Sequence, residues 1–241
     1  MKKTILAIMM VLPTLAMASG GVHLDKADYD LHNKESLQRG ARLFVNYCLS
    51  CHSAAYQRYN RMAEDIGLTN AQVASNLMFA AEKVGETMTV AMQPGDAKIY
   101  FGKPVPDLSV VARARGADWL YTYLRTFYVD KSRPFGVNNT TFKDVGMPAV
   151  LWELEGMKKL VNAEEIHEHH GTAPKFEKIS EGKMSAAEYD NAMRDLTAFM
   201  VYMGEPAQLV RYKIGIYVLL FLVLLFLVAY PMKKEFWKDI H

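Results

Sequence analysis

Residues 214–232, IGIYVLLFLVLLFLVAYPM, contain no charged side chain. Wound as a helix, such a run has no polar face anywhere around its circumference, so no surface helix of a water-soluble domain can accommodate it. At about 1.5 Å per residue it is long enough to cross the roughly 30 Å hydrocarbon layer of a bilayer. The flanks agree with that reading. Tyr212, Tyr217 and Tyr230 suit the two interfaces, and Lys233, Lys234 and Lys238 predict which end remains in the cytoplasm. The pattern predicts a transmembrane helix over 212–232 followed by a short cytoplasmic tail over 233–241.

The opposite end carries a second apolar run. In MKKTILAIMMVLPTLAMASG, Lys2 and Lys3 precede an apolar stretch from Ile5 to Leu15, which closes on Ala16-Met17-Ala18. That is the order of a secretory signal peptide, residues 1–18, cut before Ser19. The stretch is about half the roughly 20 residues of a bilayer span, which disfavours a first anchor. Between the two lies a segment, 19–211, of the size of one exported domain with a sizeable core. The net charge of +2 includes Lys2 and Lys3, so the processed chain comes to 2 − 2 = 0, and nothing in that balance suggests nucleic acid.

Export decides how the two cysteines are read, and both lie in Cys48-Leu49-Ser50-Cys51-His52. A redox-active CxxC of the thioredoxin kind calls for a preceding strand, whereas Leu37, Ala41, Phe44, Val45 and Cys48 recur at helical spacing behind the N-cap candidate Asn33. A structural zinc site needs about four ligands, and no second cysteine pair exists. Covalent haem attachment needs what is present. Two thiols on one side of a helical turn can add to the two vinyl groups of one porphyrin, and His52 then lies under the iron.

A second axial ligand determines what such an iron does. Methionine opposite histidine gives an electron carrier, and an open position gives ligand binding or peroxide chemistry. Fifteen methionines are available. Met62, Met78, Met88, Met92, Met193, Met200 and Met203 sit in helix-like, amphipathic surroundings where a core role is the default. Met147 differs, because Asp144-Val-Gly-Met-Pro-Ala149 places it in a loop between Gly146 and Pro148, with Met157 and the histidines of Ile166-His-Glu-His-His170 as alternatives. The stretch 109–127 has apolar residues at helical period with a break at Gly116. Its aromatics read as core, while Arg113 and Arg115 are both candidates to pair a haem propionate. Ser185-Ala-Ala-Glu188 is a capping box opening a helix that ends at Gly204 and Pro206.

QRGARLFVNYCLSCHS, KPVPDLSVVARARGADWLYTYLRTFY, VGMPAVLWELEG and the single C-terminal span together resemble bacterial cytochrome c1, the c-type haem subunit of the quinol–cytochrome c reductase, or cytochrome bc1 complex. The resemblance covers nearly the whole processed chain. It implies a mainly α fold, a cytochrome c-type helical domain with loop insertions on one transmembrane helix, and one covalent haem c. It implies thioethers at Cys48 and Cys51, axial ligation by His52 and Met147, a Pro106 carbonyl orienting His52, and a propionate contact at Arg115, with Arg113 the weaker candidate. It further implies cytochrome b, a Rieske iron-sulfur protein and a soluble or tethered cytochrome c as partners in a dimeric complex of the bacterial inner membrane, haem domain on the periplasmic side. The chain would then relay one electron without catalytic acid, base or nucleophile. An independent tethered cytochrome feeding an oxidase or peroxidase shares every haem feature, and a periplasmic thiol oxidoreductase shares the cysteines. Residues 151–183, with His167, His169 and His170, remain without a role. Between 151 and 200, ten acidic against six basic side chains suggest a surface that steers a basic acceptor.

Overall fold

Asn33 caps the first helix, α1 (Lys34–Leu43), its side chain accepting from the Ser36 amide. The computed structural model describes residues 22–239 apart from 91, 169 and 170, so the signal segment 1–18 and the pair His169 and His170 lie outside the described residues. From α1 the chain passes without a break into a single wide turn of π-helix, Phe44–Cys48, in which the Leu49 amide bonds back to the Phe44 carbonyl. A π turn holds one extra residue per turn, and such turns concentrate at functional positions.

Four short helices follow, α2 (Tyr59–Ile66), α3 (Asn70–Asn76), α4 (Pro94–Phe101) and α5 (Val111–Arg115). Gly116, at φ +90°, breaks the chain between α5 and α6 (Ala117–Arg125), a backbone angle open to glycine and costly for other residues. After α7 (Trp152–Glu155) and α8 (Ala163–Glu168) comes the long α9 (Ala186–Gly204), opened by the reciprocal capping box of Ser185 and Glu188. His167 therefore sits on a helix. The described strands are all short and form three antiparallel pairs: β1 (Ala54–Arg58) with β2 (Thr87–Met88), β3 (Phe127–Val129) with β4 (Val137–Asn139), and β5 (Lys158–Leu160) with β6 (Phe176–Lys178).

The core is centred on the crossing of α1 and α9. A Cβ on Gly40 would lie 2.2 Å from the Asp195 carbonyl oxygen and 2.7 Å from Phe199 Cβ, so only glycine permits this approach. Phe44 packs on Phe199 at 5.6 Å between ring centroids, and Leu37, Ala41, Met193 and Leu196 are fully buried. One carboxylate ties the crossing. Asp195 accepts from Ser36 Oγ at 2.5 Å and from Arg39 Nε at 2.5 Å. Met62, Met88, Met193, Met200 and Met203 are buried as expected, but Met88 stands on β2, and Met78 and Met92 lie outside helices.

The last helix, α10 (Gln208–Phe236), is 29 residues long and none of its side chains is buried. It extends beyond the uncharged run at both ends and carries Pro231 in its final turns. Its entry is fastened to the domain by Glu205, which pairs with Arg113 and Arg211, each at 3.3 Å.

Candidate haem cleft

The CLSCH segment continues directly from the π turn. The Cys51 and His52 amides both bond to the Cys48 carbonyl, at 3.0 and 2.8 Å, which turns the chain so that Cys48, Cys51 and His52 all reach one cleft of about 340 Å³. Beyond His52 the chain is stitched to the loop 106–109. Ala55 N–H donates to Asp107 Oδ2 at 2.9 Å, Tyr56 N–H to Ser109 Oγ at 3.1 Å, and Leu108 N–H to the Ser53 carbonyl at 2.8 Å. These bonds place the Pro106 carbonyl 2.8 Å from His52 Nδ1. A carbonyl only accepts, so Nδ1 carries the proton and Nε2 keeps its lone pair for a metal. Burial pushes the His52 pKa down, opposed by that carbonyl bond and by Asp107, and the imidazole is held neutral.

No disulfide joins Cys48 to Cys51. Burial, helped by the neighbouring Cys51, pushes the Cys48 thiol up to about 12. A thiol-exchange enzyme needs the reverse, a thiolate stabilised near neutrality. The arrangement suits a sulfur that is fixed in place, not one that exchanges.

Met147 enters the same cleft from a loop held by bonds to residues 133 and 138. Asp144 adopts the left-handed region at φ +60°, which Asp tolerates better than most residues. Its amide is bonded to Asn138 Oδ1 at 2.9 Å, and Arg133 donates to its carbonyl and pairs with its carboxylate, each at 3.0 Å. The Tyr123 hydroxyl lies 3.3 Å from Met147 Sδ, and its ring stacks on Trp119 at 4.9 Å. Burial pushes the Tyr123 pKa up, so the phenol stays protonated and is the donor of that bond.

The two arginine candidates separate. Arg115 lines the cleft with its guanidinium 5.0 Å from the Trp119 ring and 5.6 Å from that of Phe142. Arg113 points elsewhere, is 58% exposed and pairs with Glu205, so the structure does not bring it to the cleft. Met157 lines a separate small cavity next to the Met147 loop. Trp119, Tyr123 and Met200, whose helical spacing predicts core, form cleft wall, and Lys103 joins them without any periodicity to mark it.

The family model described as the Cytochrome C1 family matches residues 26–101 and 92–240. The chain belongs to the cytochrome c1 family. It is 50% identical to cytochrome c1 of Allochromatium vinosum over 245 residues, covering 100% of both chains. It is 46% identical over 242 residues to a protein named ammonia monooxygenase gamma subunit from Nitrosomonas europaea, covering 100% of this chain and 99% of that one. The cytochrome c1 of Rhodospirillum rubrum is 24% identical over 278 residues, covering 99% and 97%. Family membership makes the chain an electron-transfer c-type cytochrome with one covalent haem c.

The residues present fit that group. Among the lining residues are the two thiols, one imidazole with a free Nε2, the thioethers of Met147 in its loop and Met200 on α9, and otherwise a largely aliphatic and aromatic wall. Among the described residues no Asp or Glu lines the cleft, and the cationic ones that do are Lys103 and Arg115. A large planar apolar ligand with acidic side groups answers that combination of an apolar wall and unneutralised cations.

Proposed function

We propose that this chain accepts one electron from the Rieske iron-sulfur protein and delivers it to a soluble or membrane-tethered c-type cytochrome on the periplasmic side of the inner membrane. The observation that carries this reading is the meeting, in one apolar cleft, of Cys48, Cys51, a His52 oriented through Pro106, and Met147. Processing of residues 1–18, a domain over 19–211, a span over 212–232, a tail over 233–241 and assembly with cytochrome b in a dimeric complex complete the proposal.

When bound, the haem supplies a one-electron iron couple. The chain's own residues do the rest. Cys48 and Cys51 would hold the group covalently through thioethers, each sulfur and its proton adding across one vinyl double bond with no net oxidation. His52 would hold the iron through Nε2, because Pro106 keeps the proton on Nδ1, and Met147 would hold it through its sulfur. Arg115, already held by Trp119 and Phe142, receives a propionate without further ordering. The apolar wall would exclude water from the bound group and so favour the reduced iron, which carries less charge. No acid–base step occurs in this subunit.

The name of the Nitrosomonas relative favours a second reading, a tethered cytochrome serving a different membrane oxidoreductase. Purification from membranes in mild detergent separates the two. Covalent haem on the denatured band, travelling with a cytochrome b and a Rieske protein, supports the proposal. Haem without those companions leaves the second reading, and a denatured band without haem overturns both.

A further inference from the structure

Among the described residues the cleft is lined by two cations and no carboxylate, and Arg115 accounts for only one propionate. Neither Lys103 nor Arg115 has a carboxylate partner among the described residues. Lys103 precedes the Pro104-Val105-Pro106 segment whose carbonyl orients His52, and its side chain crosses to the other wall. There it lies over Gly146. A Cβ added at that glycine would meet Lys103 Cε at 2.6 Å and Nζ at 3.1 Å, so the ammonium stem rests directly against the loop that carries Met147. Haem has two propionates, and an apolar cleft that leaves two cations unneutralised is matched by a ligand with two anionic groups.

Resting on the haem reading above, we propose that Lys103 binds the second haem propionate while Arg115 binds the first. The consequence reaches beyond affinity. Because the same lysine stem packs on Gly146, an ion pair at its tip ties the Met147 loop to the cofactor's edge, and the sulfur ligand and the propionate are positioned together. The charge also acts on the iron. A cation near the haem disfavours the ferric state, and it holds the propionate ionised at lower pH.

The test is an optical redox titration across pH on the full chain in detergent-solubilised membranes, after haem staining has established covalent haem in wild type and variant. Lys103→Met is expected to lower the midpoint potential and to raise the proton affinity of one propionate about tenfold, which moves the pH-dependent limb of the profile upward by about one unit. Lys103→Arg should restore both features, and Lys98→Met, which removes a cation outside the cleft, should move neither. A Lys103→Met profile superimposed on wild type overturns the proposal, as does an equal shift in Lys98→Met. Should Lys103→Met fail to accumulate with haem, the wild-type holoprotein decides by cryo-electron microscopy. Nζ within about 4 Å of a propionate oxygen supports the assignment, and Nζ turned to solvent overturns it. Wild type without covalent haem would instead defeat the haem reading itself.

Discussion

Beneath the Met147 loop lies a buried ion pair whose removal has a calculable effect. Glu155, at the end of α7, and Lys158, at the start of β5, pair side chain to side chain with exposures of 19% and 10%. Lys158 Nζ also donates to the Arg125 carbonyl at 2.5 Å and lies 4.5 Å from the Phe176 ring. Burial dominates both groups, raising the Glu155 pKa and lowering that of Lys158, and each opposes the other's shift. A carboxyl with a raised folded pKa loses stability as pH rises between its unfolded and folded values, and a lysine with a lowered one loses it as pH falls between its own two values. At neutral pH both charges are in place and their desolvation is offset by the pair. Glu155→Leu leaves the Lys158 cation buried without its counter-charge and should cost about 3–5 kcal/mol, with Lys158→Met similar. Lys158→Met should in addition become less stable as pH rises from acid toward neutral, because the orphaned carboxyl must then ionise in place. The double variant Glu155→Leu/Lys158→Met removes both charges and should be neutral or more stable by about 1–4 kcal/mol. Urea unfolding of the haem-loaded chain in mild detergent, followed by tryptophan fluorescence, measures all four corners of this cycle. A single variant costing less than about 1 kcal/mol, or a double variant as costly as the worse single one, would refute the reasoning.

Met147→Leu should keep covalent haem, lower the midpoint potential and admit carbon monoxide to the iron, and an unchanged potential counts against Met147 as ligand. Tyr123→Phe removes the phenol bonded to Met147 Sδ, so the sulfur donates more strongly and the potential should fall by less than in Met147→Leu, with haem content unchanged in the stained gel. Gly40→Ala forces a Cβ to within 2.2 Å of the Asp195 carbonyl, and the helices must part at a cost of about 1–3 kcal/mol in urea unfolding. If the acidic excess over 151–200 steers a basic acceptor, stopped-flow electron transfer to that cytochrome should slow as ionic strength rises, and a salt-independent rate would exclude steering.

The features legible in the sequence are those whose cause lies within a few residues. Asn33 and Ser185 cap helices through bonds to amides three residues on, Gly116 breaks a helix through its own φ, and the thiols and imidazole of CLSCH share a single turn. What escaped depends on partners far along the chain. Arg113 and Arg115 are equivalent by local pattern, and what sorts them is Glu205 drawing one toward the membrane helix while Trp119 and Phe142 hold the other over the cleft. Trp119 and Tyr123 recur at the same helical period whether they face a core or a cofactor, because an apolar cleft and an apolar core make the same demand on a side chain. Strands of two to five residues are too short for alternation to register, so the three antiparallel pairs left no mark in the periodicity. The pairing of Lys103 with Gly146 is the extreme case, since a lysine beside prolines and a glycine in a distant loop acquire meaning only when folding lays one across the other. The division has a chemical reason. Covalent attachment requires its residues to be neighbours in sequence, so it is written as a motif, whereas a redox potential is set by whatever surrounds the iron in space. A chain of this family can therefore declare its cofactor in five residues and still disclose how it tunes that cofactor only through its fold.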